Sequence, residues 1–438
     1  MDESGIGVSG RAAAGEASGA AVIEALAGRP GGRELLELAR DRDDVALVGG
    51  AVRDLLLDGT PRELDVIVGG GSAELAAALA SRLEGNEARR PETTLHERFG
   101  TAVVRWIHGR IDIAERRAES YPSPGALPEV RPGSSAEDLA RRDFTVNAIA
   151  VSLGGPRAGE LDAVDHALED LARGRLRVLH DRSFLDDPIR LLRLARYRAR
   201  LRFEVEPETM RLARGALSAG ALSTVSGARV GAELWLAAEE GTPAAAFAAL
   251  GELGVLEALG LPAPFDEQLS RDASLLMPPD GIADILEMAV LFHPAGEPDE
   301  AARQAAAELM DSFEFFAETR ERVLAGAFDA STLAAGMEQA ERPSQLRALL
   351  GSRPVEAIAI AGALGSRRSP EVARRARAWL KELRHVRLQI GGDDLLAAGV
   401  PEGPEVGRRL QRALDRKLDG ELQGGREAEL AGALEGGP

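Results

Sequence analysis

The β-forming segments of this 438-residue chain lie in its first 114 residues, and most of the remainder is patterned for helices. The runs rich in apolar and β-branched residues cover 45–48, 64–68, 101–107 and 110–114. A helical stretch at 73–83 lies between them, and from Leu168 onward apolar residues recur at helical spacing. Four prolines in the segment 121–132 predict a loop there. This order predicts an α+β fold, in which an N-terminal mixed sheet with helices is followed by an all-helical region.

The first polar motif is a pair of glycines between a predicted strand and a predicted helix. Gly49 and Gly50 follow the strand, and Arg53 lies three residues further on. Glycines at such a position let the backbone approach a triphosphate at the start of a helix. Arg53 would add charge-assisted hydrogen bonds to phosphate oxygens. Alone, the same pattern also fits an ordinary structural turn.

The second motif is a set of lone carboxylates on apolar strands. Glu63 and Asp65 are two residues apart on one strand, so both side chains face the same side. Asp112 lies between two isoleucines on another strand of the same unit. Carboxylate oxygens are hard ligands that select Mg²⁺ or Mn²⁺. The sequence therefore predicts a metal-binding carboxylate cluster, with charged strand edges as the alternative.

The third motif lies at 141–148, where polar side chains stand beside apolar ones. Arg142 is placed to reach a triphosphate. Asp143 and Asn147, four residues apart, would face the same way if this segment were helical, and could then bind ribose hydroxyls. A salt-bridged helix start is the alternative interpretation.

The fourth motif is an aspartate followed by arginines at intervals of three residues: Asp187, Arg190, Arg193 and Arg196. This spacing predicts one helix face. Asp187 would accept from an exocyclic amino group and Arg190 would donate to the neighbouring ring nitrogen. Cytosine and adenine present that order, whereas guanine and uracil present its reverse. A solvated, arginine-rich helix is the alternative.

The charge distribution also points to a polyanionic partner. The net charge is −18, which by itself disfavours nucleic acid. Two basic islands interrupt the acidic chain, however: 170–202 has ten arginines against four aspartates, and 367–387 has eight basic residues against two glutamates. Such islands suit a polyanion held along a defined track. Two solvated helix faces are the alternative.

The composition excludes several kinds of site. The chain has no cysteine, so disulfides and thiolate zinc sites are excluded, and its six scattered histidines do not suggest a histidine metal site. No run of about 18 apolar residues is available to span a membrane. We expect a cytoplasmic protein with no membrane contact and no obligate protein partner.

Taken in order, the motifs resemble G-G-x-x-R-D, D-x-D, R-R-D-F-T-x-N-A and E-D-x-x-R-x-x-R-x-x-R-[FY] of the class II tRNA nucleotidyltransferases, the CCA-adding enzymes, and of the bacterial poly(A) polymerases. The resemblance is strong over 45–235 and looser beyond. The segment 226–233 resembles the neck motif, and the segment from Ile390 resembles the C-terminal signature.

The resemblance implies a head, neck, body and tail. The corresponding ranges are 1–30 for a disordered leader, 31–155 for the nucleotidyltransferase head or palm, 156–240 for the neck with nucleotide-templating helices, 241–340 for the helical body and 341–438 for the helical tail. In the tail, Arg374, Arg375 and Lys381 are expected to bind tRNA.

The resemblance also implies a reaction. The 3′ end of tRNA would receive C and A nucleotides from CTP and ATP, with release of pyrophosphate. Glu63 and Asp65 would hold Mg²⁺, or Mn²⁺ in its place, and Asp112 would orient or deprotonate the attacking hydroxyl. The predicted nucleotide-binding residues are Gly49, Gly50, Arg53, Arg142, Asp143, Asn147, Asp187, Arg190, Arg193 and Arg196.

Three residues depart from the family motifs. Glu63 stands where the family usually has aspartate, Asp186 replaces a glutamate, and Ala228 replaces the neck-motif glutamate. Within the family, an enzyme that adds only A, or a poly(A) polymerase, is the alternative to CCA addition. A CC-only enzyme is disfavoured because the interval 115–140 is full length. An inactive RNA-binding scaffold is disfavoured because the acidic and arginine motifs are retained. His180 and Asp181 lack the further histidines that a phosphohydrolase needs.

Overall fold

The computed structural model describes residues 18–84, 90–96 and 100–435. The chain forms two compact units. The N-terminal unit consists of the residues up to 226 together with 253–255, and the C-terminal unit consists of 227–252 and 256–438. The predicted neck, 156–240, thus contributes to both units.

A seven-stranded mixed sheet is the main β structure of the N-terminal unit. The strands of this unit are β1 (Ala46–Val48), β2 (Leu64–Val68), β3 (Glu92–His96), β4 (Thr101–Trp106), β5 (Gly109–Glu115), β6 (Arg117–Ser120), β7 (Glu129–Pro132), β8 (Ile149–Ser152), β9 (Leu161–Ala163), β10 (Arg175–Leu176) and β11 (Glu204–Val205). The sheet order is β3-β4-β5-β2-β1-β8-β9. Within it β2 and β5 are parallel, and the other neighbours are antiparallel.

The alternation of residues on β5 shows why a polar site forms on this sheet. Ile111 and Ile113 point into the core and are almost fully buried. Arg110 and Asp112 therefore lie on the opposite face, because successive side chains of a strand alternate. The predicted fold class is confirmed, since a mixed sheet with helices is followed by helices almost to the end.

Along the chain, the α-helices of the N-terminal unit lie before, between and after these strands. They are α1 (Gly19–Ala27), α2 (Gly32–Ala39), α3 (Gly50–Leu56), α4 (Ser72–Glu84), α5 (Ser135–Ala140), α6 (Ala167–Arg173), α7 (Ser183–Asp186), α8 (Ile189–Leu201) and α9 (Pro207–Ser218). A capping box starts α5, because Ser134 and Glu137 satisfy each other's backbone amides. This fixes the chain immediately before Arg141 and Arg142.

From residue 227 onward the described chain is helical. The helices are α10 (Gly227–Ala238), α11 (Pro243–Leu253), α12 (Val255–Ala258), α13 (Glu267–Ser274), α14 (Ala283–Leu291), α15 (Glu300–Ser312), α16 (Ala317–Leu324), α17 (Ala330–Gln339), α18 (Pro343–Leu350), α19 (Val355–Ser366), α20 (Pro370–Lys381), α21 (Gly392–Ala397), α22 (Pro404–Leu418) and α23 (Gly425–Leu434). The last three helices share a small apolar cluster that includes Leu395, Ala413 and Ala433.

The structure differs from the sequence prediction at three places. Residues 19–27, placed in a disordered leader, form α1 because Val22 and Leu26 supply a buried apolar face; residues 1–17 lie outside the described ranges. The proline-rich segment 121–132 was predicted as a loop, yet 129–132 form β7, an edge strand on which proline is tolerated. Helix α8 begins at Ile189, after Pro188, so Asp187 precedes it.

No helix in the described ranges is both long and apolar enough to cross a membrane.

Glu287 on α14 gives the fold a pH-dependent stability. Its side chain is 4% exposed, and Ser270 Oγ lies 2.8 Å and 2.9 Å from the two carboxylate oxygens. Burial raises the pKa of Glu287 from 4.5 to about 7. Between pH 4.5 and about pH 7, the Glu287 carboxyl keeps its proton in the folded state but has lost it in the unfolded state. The free energy of unfolding therefore falls as the pH rises through this range. We predict that Glu287→Gln is more stable than the wild type at pH 8 by roughly 1–3 kcal/mol, with little difference at pH 4.

Urea unfolding at several pH values measures this difference. The control is Glu308→Gln, which changes an exposed carboxylate on α15. A stability difference for Glu287→Gln that stayed constant from pH 4 to pH 8 would contradict the assignment.

Candidate active site

Two carboxylates lie side by side at the centre of the sheet. Asp65 on β2 and Asp112 on β5 are register partners in the parallel pair, so their side chains share one face. Glu63 lies one residue before β2 and is half-exposed. Arg110 donates from Nε and Nη2 to Asp112, at 2.6 Å and 2.5 Å, and its Nη1 lies 3.5 Å from Glu63 Oε2. One guanidinium thus partly neutralises two of the three acids.

Asp65 is the acid whose charge is least compensated. Burial, together with the neighbouring Glu63 carboxylate, raises the pKa of Asp65 to about 7, against the opposing effect of Arg142. The Arg142 guanidinium lies over Gly49, where an added Cβ would be 2.6 Å from Arg142 Nη1 and 3.7 Å from Asp65 Oδ2. Gly49 has φ +73°, so this position both needs the left-handed region and leaves room for Arg142.

Arg142 is oriented by α5 and retains a spare donor. Its Nη2 donates to Asp138 Oδ2 at 3.1 Å, and Asp138 also holds Arg141. The Nε of Arg142 is buried and finds no acceptor among the described residues. Arg142, Arg110, Asp65 and Asp112 all line a cleft of 410 Å³. The cleft thus combines carboxylates with a guanidinium suited to a phosphate.

The acids fit a divalent cation as a pair. Across the described ranges, no group of three or more acidic, histidine or cysteine side chains is arranged to hold a metal. Asp112 is engaged in a two-bond contact with Arg110. Glu63 and Asp65 each supply carboxylate oxygens, which are hard metal ligands, and the negative charge of the three neighbouring acids is only partly compensated. That donor set suits a cation such as Mg²⁺, which takes few protein carboxylates and completes its shell with water and phosphates.

A second set of predicted residues forms a buried network. Arg53 on α3 is 2% exposed and donates from Nε to Asp54 Oδ1 at 2.8 Å and from Nη1 to Asn147 Oδ1 at 2.5 Å. Asn147 Nδ2 donates to Asp143 Oδ1 at 2.9 Å. Asp143 and Asn147 are four residues apart, but they are not in an α-helix: Asn147 ends a 3₁₀ turn at Thr145–Asn147, and Asp143 precedes that turn. These three motif residues therefore bind one another.

The network continues onto α8 at two points. Arg193 Nη2 lies 2.8 Å from Asp143 Oδ2, and Arg200 Nη2 donates to Asp54 Oδ2 at 2.8 Å. Tyr197 lies between these arginines in sequence, and its ring is within 6 Å of the guanidinium carbons of Arg53, Arg193 and Arg196, the separations being 5.4, 5.7 and 5.0 Å. Cation–π attraction and ion pairs thus join α3, the 3₁₀ turn and α8.

Arg190 and Asp187 form hydrogen bonds with groups outside that network. Arg190 is 4% exposed, and it donates from Nη1 to Ser183 Oγ at 2.6 Å and from Nη2 to the Arg141 carbonyl at 2.8 Å. Asp187 precedes α8, and its Oδ1 accepts from the Ile189 amide at 3.3 Å. The four residues predicted on one helix face are therefore an N-terminal acid followed by three helical arginines.

One glycine of the motif forms a backbone hydrogen bond with the sheet. The Gly49 amide donates to the Ile149 carbonyl at 3.0 Å, which ties the turn to β8. Gly50 is the first residue of α3. Because Gly49 is occupied in this way, Gly50 is the glycine whose amide is better placed to meet a phosphate.

Sequence reasoning missed the acids and arginines that orient the site: Asp54, Arg110, Asp138 and Arg200. Asp138 had a detectable signal, because it precedes Arg141 and Arg142 by three and four residues on a predictable helix start. Asp54 adjoins Arg53 in the same motif. Arg200 had no local signal, since its partner Asp54 lies 146 residues away.

In the C-terminal unit, the three predicted tRNA-binding residues have different environments. Arg374 is 77% exposed and pairs with Glu371. Lys381 is exposed at the end of α20. Arg375 donates to the Met337 carbonyl at 2.6 Å and also bonds the Glu338 carbonyl, so it caps the end of α17. Arg375 therefore has a structural contact that the other two lack.

Comparison with known proteins identifies similar chains. Residues 45–177 match the family model of the poly A polymerase head domain. The chain is 35% identical over 370 residues to the CC-adding tRNA nucleotidyltransferase of Deinococcus radiodurans, a match that covers 84% of this chain and 83% of that protein. It is 38% identical over 226 residues to the A-adding tRNA nucleotidyltransferase of Halalkalibacterium halodurans, which covers 50% of this chain. The chain spans about half the length of this A-adding relative, at 51%.

Solved structures also resemble this fold over nearly the whole chain. An apo form of a CCA-adding enzyme superposes with a TM-score of 0.73 at 27% identity, covering 92% of this chain and 94% of that one. A complex of a CCA-adding enzyme with CTP has a TM-score of 0.72 at 25% identity, covering 96% and 99%.

The Asp54 network predicts an asymmetry between two substitutions. Asp54→Asn leaves Arg53 buried without its carboxylate, whereas Arg200→Met removes a guanidinium that is 21% exposed. We predict that Asp54→Asn lowers the free energy of unfolding by about 3 kcal/mol and Arg200→Met by about 1 kcal/mol. The double variant should cost less than the sum, because both substitutions remove one shared contact. Urea unfolding measures all three. A larger cost for Arg200→Met would contradict this arrangement.

Proposed function

The chain belongs to the tRNA nucleotidyltransferase family, and we propose that it adds C and A nucleotides from CTP and ATP to the 3′ end of tRNA. The observation that carries this proposal is the strongly perturbed Asp65, which shares a cleft with Asp112 and Arg142. An acid with a strongly shifted pKa in a cleft is a candidate for a functional site. We also propose a cytoplasmic location, since tRNA is the proposed substrate.

Members of this family use divalent metal ions. We assign the metal to Glu63 and Asp65, and we propose Mg²⁺, with Mn²⁺ as a substitute. Such a cation lowers the pKa of an attacking hydroxyl and neutralises charge on a leaving group. Glu63 has one methylene more than the usual aspartate, and its half-exposed position before β2 gives that longer side chain room.

The chain's own residues would carry the remaining steps. The tRNA 3′-oxygen attacks the α-phosphorus of the nucleotide, the bond to the bridging oxygen breaks, and pyrophosphate leaves. Asp112 would orient the hydroxyl or accept its proton once Arg110 shifts toward the substrate. Arg142, with its unused Nε, would hold phosphate oxygens where negative charge develops.

Base selection is proposed for Asp187 and Arg190. Ser183 and the Arg141 carbonyl hold the Arg190 guanidinium in one orientation, which is what a fixed template for a base edge needs. Arg53, Asp143, Asn147, Arg193 and Arg196 would act mainly by holding α8 against the head. Their direct contact with triphosphate and ribose remains part of the proposal.

A second candidate function is partial addition. The relatives include both an A-adding and a CC-adding enzyme, so either restricted activity is a specific alternative. The deciding experiment incubates purified protein with tRNA lacking its CCA end and supplies CTP, ATP or both. Full CCA addition gives products longer by three nucleotides only with both triphosphates. Extension of that tRNA by CTP alone, with no further growth when ATP is present, would instead assign CC addition. If the protein adds only A, a tRNA that already ends in CC should grow with ATP, while the tRNA lacking CCA should not grow with CTP.

The metal assignment predicts the effect of Asp65→Asn. A neutral amide is a poor partner for a divalent cation, so incorporation should fall by roughly a thousandfold. Stability should not fall, because the substitution removes a carboxylate repelled by Glu63 and Asp112. The control is Asp162→Asn, which changes an acid on β9 that is paired with Arg157. Undiminished incorporation by Asp65→Asn would remove the catalytic assignment. Glu63→Asp should keep its incorporation activity, because aspartate is the usual residue of the family at this position.

The base-selection assignment predicts the effect of Arg190→Ala. This variant should lose most C and A incorporation, while its preference against G and U relaxes. Single-turnover rates with all four triphosphates on one tRNA measure this. Ser183→Ala, which removes only the partner of Arg190 Nη1, should give an intermediate change. An equal slowing of all four triphosphates by Arg190→Ala would make Arg190 a phosphate-binding residue instead.

The tail assignment predicts a salt-dependent effect. The double change Arg374→Gln and Lys381→Gln should weaken tRNA binding and lower the slope of log affinity against log salt by up to about 2. Arg375 is left unchanged, because it caps α17. Filter binding at several salt concentrations measures the slope, and CTP binding serves as the control. An unchanged slope would assign this face of α20 to ordinary solvation.

A further inference from the structure

Arg110 is the residue whose guanidinium acts on all three acids of the cleft. It lies two positions before Asp112 on β5, so both side chains point to the same face of the sheet. Its Nε and Nη2 donate to the two oxygens of Asp112, and its Nη1 lies 3.5 Å from Glu63 Oε2. Burial raises the pKa of Asp65, and Arg110 is among the groups that oppose this rise. A single side chain thus supplies positive charge to the whole cluster.

This guanidinium and a divalent cation would compete for the same negative charge. Glu63 is assigned to the metal and is also the acid that Arg110 Nη1 approaches. Two cations a few ångström apart repel each other, so an ion held by Glu63 and Asp65 is disfavoured while Arg110 stays in place. The Arg110 charge therefore lowers the affinity of the site for a metal.

Arg110 is able to move, in contrast to the buried arginine of the neighbouring network. Its side chain is 39% exposed, and its partners Asp112 and Glu63 are 26% and 46% exposed. Arg53, by comparison, is 2% exposed and bonded on several sides. Ion pairs that are partly open to water contribute little to stability, so their rearrangement costs little. Arg110 also lines the 410 Å³ cleft together with Arg142, where a phosphate would offer it another anionic partner.

We propose that Arg110 is an exchangeable counter-cation: the divalent metal displaces it from the acids, and it then turns to the phosphates of the nucleotide in the same cleft. The two ligands are thereby coupled, because the metal releases the guanidinium and the triphosphate gives it a new partner. The site then binds a metal weakly by itself and much more tightly with a nucleotide. The inference rests on the proposed function, from which it takes the metal at Glu63 and Asp65.

The first test measures Mn²⁺ binding to the whole protein without nucleotide, by electron paramagnetic resonance of the free ion. Arg110→Met should bind Mn²⁺ roughly tenfold more tightly, because it removes a unit charge a few ångström from the ion. Arg110→Lys keeps the charge and should stay within about threefold of the wild type. Arg110→Gln can still donate to Asp112 and guards against misfolding of Arg110→Met; it should bind Mn²⁺ more tightly as well.

Arg105→Met is the matched control for the loss of charge. Arg105 on β4 is the register partner of Arg110, so it lies on the same face, and it is exposed. It is one strand further from Asp65 on β2. Because solvent and salt screen the more distant charge, Arg105→Met should change the Mn²⁺ affinity less than twofold.

The second test repeats the measurement with a saturating non-hydrolysable CTP analogue. The ratio of the Mn²⁺ affinities with and without the analogue reports the coupling between the two ligands. In Arg110→Met this ratio should fall roughly tenfold or more, because no guanidinium has to be displaced and its contact with phosphate is lost.

The outcomes separate the role of Arg110 from the proposed function. An unchanged or weaker Mn²⁺ affinity in both Arg110→Met and Arg110→Gln would overturn the inference. Equal gains in Arg110→Met and Arg105→Met would make Arg110 an ordinary surface charge, which also overturns it, as would an unchanged ratio in the second test. Failure of the wild type to extend tRNA would overturn the proposed function, whereas the Mn²⁺ measurements need no tRNA and would still decide the role of Arg110.

Discussion

The N-terminal unit depends on how neighbouring guanidinium groups offset the electrostatic repulsion among three carboxylates. Parallel pairing of β2 with β5 puts Asp65 beside Asp112, and Glu63 adds a third negative charge. Arg110 pairs with Asp112 and Glu63, while Asp65 is stabilised mainly by Arg142, across Gly49, and to a smaller extent by Arg110. The raised pKa of Asp65 shows that this compensation is incomplete. A site with residual negative charge and a buried, unused donor is prepared for a cation and a phosphate together.

A second constraint is the buried network that holds α8 in place. Asp54, Arg53, Asn147 and Asp143 form a continuous chain of hydrogen bonds, and Arg200 and Arg193 connect its two ends to α8. The Nε and Nη1 donors of Arg53 and the Nδ2 donor of Asn147 are already engaged within this network. Motif residues can therefore be required for the geometry of a site without touching its substrate, and loss of one member leaves its buried partners uncompensated.

The sequence predicted β1, β2, β4 and β5 and the polar face of the sheet, because both follow from a period of two residues. It did not predict β3, β8 and β9, which complete the sheet. It placed Asp65 and Asp112 in the same unit, but it could not predict that they would be register partners, since strand pairing is a long-range property. The same limit applies to Arg200, whose partner lies 146 residues away. Local rules failed at Asp187, where Pro188 moves the helix start, and at β7, where an edge strand tolerates its proline. Sequence periodicity therefore gives the faces of elements, whereas the contacts between them require the fold.

The most direct test of this account is the position of the metal. Crystals grown with Mn²⁺ and a non-hydrolysable CTP analogue would give an anomalous signal that locates the ion independently of activity. The account predicts a peak bound by carboxylate oxygens of Glu63 and Asp65 and by phosphate oxygens of the analogue. A structure with the analogue bound in the cleft, but with no peak beside Asp65 or with the ion held by other residues, would contradict it.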